Sequence, residues 1–130
     1  MRKKLYLLFS IFLLVSSNIC FGVRANHEKV YQKVWCDENG GETEVILPDK
    51  TRIDCMLPDY AIEFDFADKW AESIGQSLYY GYMTNKTPGI VLIMENEEKD
   101  CKYFNRVQKV ANKYNIRIWT INREYLKKCK

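Results

Sequence analysis

The sequence predicts one α/β domain with a mixed central sheet, and three stretches of chain predict it. Residues 51–66 alternate apolar and polar side chains with period two, the mark of strands buried on one face. Ile90-Val-Leu-Ile-Met94 is a continuous apolar run, as in a strand covered on both sides. Between it and the last strand-like segment, Lys99 to Tyr114 is amphipathic through Tyr103, Val107 and Val110, the spacing of a crossover helix.

The elements follow in order. Val30, Tyr31 and Val34 are spaced for a short opening helix over 27–35, which Asn39-Gly-Gly41 stops. Glu42 to Leu47 and Thr51 to Met56 form a hairpin around Pro48-Asp-Lys50. Strict alternation puts Ile53, Cys55 and Leu57 on one side of its second strand, with Arg52 and Asp54 on the other. Leu57-Pro-Asp59 turns into a third strand, Tyr60 to Phe66, with Ile62, Phe64 and Phe66 on one side and Glu63 and Asp65 on the other. Asp68 is placed to cap a helix that ends near Gly81 and packs Trp70, Ile74 and Leu78 inward. Thr87-Pro-Gly89 leads into the apolar strand, and Ile116 to Ile121 closes the sheet after the crossover helix. The expected order is helix-β-β-β-helix-β-helix-β, with antiparallel pairing first and parallel pairing after.

The first 25 residues read as a secretory signal peptide. Arg2, Lys3 and Lys4 precede an apolar run from Leu5 to Val15, too short for a comfortable membrane span, and cleavage fits after Gly22 or Ala25. Ile19 is too bulky for the small residue expected before a lipidated Cys20. The mature chain is then expected to be periplasmic or secreted, with no stable membrane anchor after cleavage, and to form one domain over 26–130. It carries 16 basic and 17 acidic residues, unevenly placed: 26–98 has 6 basic and 15 acidic, 99–130 has 10 basic and 2 acidic. One half is suited to a cation and the other to phosphates.

Cys36, Cys55, Cys101 and Cys129 remain after cleavage, an even number that in an exported domain argues for two disulfides among three connectivities. Pairing within each half, Cys36–Cys55 and Cys101–Cys129, is the natural choice. Zinc is the competing reading, but the chain has no Cys-x-x-Cys pair and a single histidine, His27. That histidine count also excludes histidine-based nuclease sites, and no phosphate-binding Walker loop or Gly-x-Ser-x-Gly elbow occurs.

Asp54, Glu63 and Asp65 gather on one face of two strands, ahead of a helix in which Lys69, Glu72, Gln76 and Tyr80 share a face. Carboxylates collected in this way repel each other unless a cation joins them. The plainer alternatives are an Arg52–Asp54 surface ion pair and the wet face of an edge strand.

This order of elements with these carboxylates resembles the PD-(D/E)XK nuclease superfamily, which includes restriction endonucleases, Holliday-junction resolvases and RecB-like nucleases. The likeness implies a restriction-endonuclease-like fold and a metal-dependent nuclease acting on DNA or RNA with Mg²⁺ or Mn²⁺. By resemblance, Asp54 stands for the first aspartate, Glu63 for the acidic residue of the (D/E)-x-K element and Gln76-Ser-Leu-Tyr-Tyr80 for the Gln-x-x-x-Tyr helix pattern. Glu44 stands for an upstream acidic ligand. The implied metal ligands are Asp54 and Glu63 with Glu44 and Asp65; the implied catalytic set is Asp54, Glu63, Lys69 and Gln76, with Tyr80 and Arg52 positioning substrate. One departure matters: Asp65 occupies the lysine position, and Lys69 would have to return the ammonium. If it does not, the implied alternative is a catalytically inactive interaction module of the cell envelope.

Overall fold

A computed structural model describes residues 23–129, so the expected signal segment lies outside the described residues except at its last three positions. The elements are α1 (Glu28–Glu38), β1 (Glu42–Ile46), β2 (Arg52–Met56), β3 (Tyr60–Phe66), α2 (Trp70–Thr84), β4 (Thr87–Ile93), α3 (Glu97–Tyr114) and β5 (Arg117–Ile121). A single 3₁₀ turn, Ala67–Lys69, joins β3 to α2, and a longer 3₁₀ stretch, Arg123–Cys129, follows β5. The order is the one the sequence predicts.

The five strands lie in sequence order, β1-β2-β3-β4-β5. β1 and β3 both run antiparallel to β2, and β4 and β5 continue parallel to β3, so β2 alone runs against the rest. Helices cover both faces. Tyr31 and Trp35 of α1 pack on Ile62, Phe64, Phe66, Val91 and Ile93. On the opposite face, Trp70, Ile74 and Leu78 of α2 join Val107 and Ala111 of α3 against Ile90 and Leu92. β4 thus buries successive residues on opposite faces, which is why its sequence is apolar without alternation.

Four local expectations are corrected. α1 runs on to Glu38, so Cys36 lies inside the helix rather than ahead of the first strand. Asp68 caps nothing. It sits in the 3₁₀ turn and binds the Arg24 guanidinium through both oxygens, at 2.8 and 3.0 Å, and that guanidinium also lies 3.5 Å from the Phe66 ring centre. α2 passes through Gly81 and ends at Asn85, which takes the left-handed conformation (φ 53°) that terminates helices. Gly81 serves close approach instead, since a Cβ there would stand 3.0 Å from the Lys86 carbonyl oxygen and 3.1 Å from Pro88. Finally, Ile53 and Cys55 do not share a face. Cys55 and Leu57 belong to the core under α1, whereas Ile53 packs with Ala61 and Tyr80.

The face change has a local cause. Cys55 pairs with Thr43 and Ile53 with Val45, but the register skips Glu44 and Asp54 between them. Glu44 has φ 59°, a left-handed backbone that a non-glycine residue adopts only at a cost of about 1–3 kcal/mol. The reversal breaks the pleat at one step, and alternation resumes on the other side.

Cys36 and Cys55 form a disulfide that ties α1 to β2. Gly41 fits against it, since a Cβ there would stand 2.7 Å from each sulfur. Cys101 is exposed and carries no bridge, and the Cys129 side chain lies outside the described residues, so the second expected pairing is not among the described contacts.

Candidate active site

Asp54, Glu63, Gln76 and Tyr80 line one open recess of about 490 Å³, with Glu28, Thr51 and Arg52 at its rim. β2 and β3 supply the floor, α2 one wall and the start of α1 another.

The break at Glu44 sets the floor. Asp54 is 7 % exposed, and its Oδ2 accepts the Phe64 N–H at 2.9 Å, taking a place that a neighbouring strand's carbonyl would otherwise occupy. Its own carbonyl accepts from Gln32 Nε2 at 2.7 Å, and the same amide nitrogen donates to Glu44 Oε1 at 2.9 Å. One buried side chain of α1 therefore holds both partners of the interrupted pair. Glu44 Oε2 meets Arg52 at 2.8 Å and Lys29 at 3.8 Å. Arg52 accordingly pairs with Glu44 and not with Asp54. Glu44 stands beside the acidic group with its charge already answered.

Glu63 and Asp65 are 7 % and 4 % exposed, on the side of β3 that faces α2. Burial and then the Asp54 charge push the Glu63 pKa far above the carboxylate range. Burial likewise raises Asp54 to about 6, against the pull of the Phe64 N–H. Burial and the Glu28 charge raise Asp65 to about 7, held back by the Lys69 ammonium. These shifts express a single fact: negative charges crowd where water is scarce.

Above the floor, Tyr80 is buried, its phenol kept protonated first by desolvation and then by Glu63 and Asp54. Gln76 Oε1 is buried without a hydrogen-bond partner. Lys69 is exposed in the 3₁₀ turn rather than in the helix. It lines an adjoining recess with Arg24, Asn26, His27, Glu28 and Phe66. It does not line the recess that holds Gln76, although its charge is felt by Asp65 and Glu28.

Sequence reading missed Glu28. The first residue of α1 lines both recesses, and burial raises its pKa against the pull of the Lys69 charge. Only its place in the first turn of a predicted helix marked it out, and that place suits any acidic residue. Gln32, buried at the centre of the support, was hidden by its position in an otherwise amphipathic stretch.

The donor set is one of hard oxygens. Among the described residues no three histidine, cysteine or acidic side chains form a ready-made metal cage. A Mg²⁺ ion, however, binds through one or two carboxylates and keeps several waters. Asp54 and Glu63, buried and lining one recess, fit that requirement, and the unpartnered Gln76 oxygen lines the same recess. Searches found no match for this chain among family models, curated proteins or solved structures.

Proposed function

We propose that the protein is an exported, metal-dependent nuclease of the PD-(D/E)XK type that hydrolyses phosphodiester bonds of DNA or RNA. The observation that carries the reading is the Asp54–Glu63 pair. Two buried carboxyl groups from adjacent strands meet at the floor of an open recess, at the two positions the resemblance assigns to metal ligands. The mixed sheet with one reversed strand and helices on both faces supports it, and so does the Cys36–Cys55 bridge, which suits an oxidising compartment.

On this reading Asp54 and Glu63 hold Mg²⁺ or Mn²⁺, and the cation supplies an acidified water and charge neutralisation at the phosphate. The chain's own groups do the rest. The Phe64 N–H and Gln32 fix Asp54 in place, and Tyr80 keeps a proton to donate into the recess. Asp65, raised to about 7 by burial and the Glu28 charge against the pull of Lys69, exchanges a proton at working pH. Gln76 offers a bare amide oxygen to orient a water.

A binding module without catalysis is the second reading. It is favoured by Asp65 at the usual lysine position and by Lys69 lying in the adjoining recess. The deciding experiment incubates oxidised protein with single- and double-stranded DNA and RNA in Mg²⁺, Mn²⁺ or EDTA. Metal-dependent cleavage that Asp54→Asn removes supports the enzyme. No cleavage of any of these substrates overturns it.

A further inference from the structure

Lys102, Arg106, Lys109 and Lys113 follow one another on α3 at spacings of four, three and four, so they form one stripe along the helix. All four are exposed. Among the described residues, none of the four lies within ion-pair distance of a carboxylate, whereas Arg24, Lys29, Lys33, Arg52, Arg123 and Lys127 all do. Like charges three and four residues apart oppose helix formation by a few tenths of a kcal/mol per pair, so the stripe costs stability in the free protein. Rings steady the heads. The Lys102 ammonium lies 4.8 Å from the Tyr103 ring centre, the Arg106 guanidinium 5.7 Å from Tyr103 and 5.8 Å from Trp70, and the Lys113 ammonium 5.4 Å from Tyr114.

We infer that this stripe of α3 binds the phosphate backbone of a nucleic acid. The identity of the polyanion rests on the nuclease reading; the existence of the surface does not. From Lys102 to Lys113 the helix rises about 16 Å, at about 1.5 Å per residue. One strand of duplex presents a phosphate roughly every 3.4 Å along its axis, so the four cations lie along a run of about five phosphates. The stripe also reaches α2, since Arg106 lies over Trp70 at the start of that helix. A membrane surface fits less well. Val107 and Ala111 of α3 are turned into the core, and Tyr114 is the one large apolar side chain that α3 leaves exposed beside the cations, too little for insertion.

The test is fluorescence anisotropy of a labelled DNA duplex with oxidised protein in EDTA, where cleavage cannot interfere, titrated over a range of KCl. Removing one phosphate contact lowers the slope of log affinity on log salt by about 0.9. The variant carrying Lys102→Gln, Arg106→Gln, Lys109→Gln and Lys113→Gln should bind at least tenfold more weakly with a slope lower by about 3–4. Lys109→Gln alone should lower it by about 1, and it keeps the readout should the fourfold variant fail to fold. Lys33→Gln, which removes an ion-paired lysine on α1, should change neither. Wild-type protein that does not bind the duplex, or a Lys109→Gln slope equal to wild type, overturns the inference. Stripe-dependent binding to phosphatidylglycerol vesicles without DNA binding overturns it in favour of a membrane. Stripe-dependent DNA binding without cleavage under Mg²⁺ upholds it while overturning the nuclease reading.

Discussion

Asp54 of β2 and Glu63 of β3 turn buried carboxyl groups into one recess, and the charge of Asp54 adds to burial in raising the Glu63 pKa. Ionising both, each almost wholly shielded from water, is costly unless a cation answers the charge. The pair therefore chooses between a proton and a metal.

That choice gives the metal-free protein an inverted pH response. Asp54 and Asp65 have folded pKa values raised to about 6 and about 7. For a raised acid the folded state binds the extra proton, so the stabilisation is full below the unfolded value near pH 4 and is lost as pH rises through the folded value. In EDTA the melting temperature should fall by several degrees between pH 5 and pH 8, and Mg²⁺ or Mn²⁺ should restore it at pH 8. Equal melting at both pH values in EDTA, or no response to either metal, counts against a charged pair awaiting a cation.

Asp54→Asn and Glu63→Gln should each lower metal-dependent cleavage by at least about a hundredfold. Each should also raise the melting temperature of the metal-free protein at pH 8, because one repelling charge leaves with its shape kept. Activity and stability moving in opposite directions is the signature to look for. A variant that loses both has simply unfolded.

Lys69→Ala should slow cleavage with little change in metal affinity, since an ammonium does not ligate a cation. Asp65→Lys should restore part of that loss by supplying the positive charge from the floor of the site. Gln76→Ala should cost less than either ligand change. Rates under saturating Mg²⁺ for the single and double variants decide this, and a double variant no faster than Lys69→Ala removes the shared-charge account.

Replacing both Cys36 and Cys55 by serine should destabilise the domain by about 3 kcal/mol, read from urea unfolding. Gly41→Ala, whose new Cβ would stand 2.7 Å from both sulfurs and 2.8 Å from Leu57, should cost about 1–3 kcal/mol with the bridge intact. A Gly41→Ala variant as stable as wild type would show that the turn can yield where the packing says it cannot.

The order of elements was legible because each carries its own period: two for β2 and β3, three to four for α2 and α3, and none for the doubly covered β4. The acidic residues of the floor were legible for the same reason. What escaped depended on tertiary contact. Asp68 reads as a cap until Arg24, distant in sequence, occupies it. Gly81 reads as a stop until Pro88 and Lys86 press against it. The face change at Asp54 follows from a left-handed Glu44 on the neighbouring strand, which no residue of β2 announces. Glu28 joins the acidic group only because α1 packs across the sheet, and Lys69 leaves the helix face because the chain begins α2 one residue after it.

The disulfide bears on how the crowded pocket relieves itself. Cys36 lies on the helix that carries Glu28 and Gln32, and Cys55 adjoins Asp54, so one covalent bond clamps the wall bearing Glu28 to the floor. With the clamp closed, the carboxylates cannot relax by letting α1 swing away. Only a proton or a cation can quiet them. The bridge thus fixes how closely the acidic wall and floor of the recess stand, whatever charge they carry.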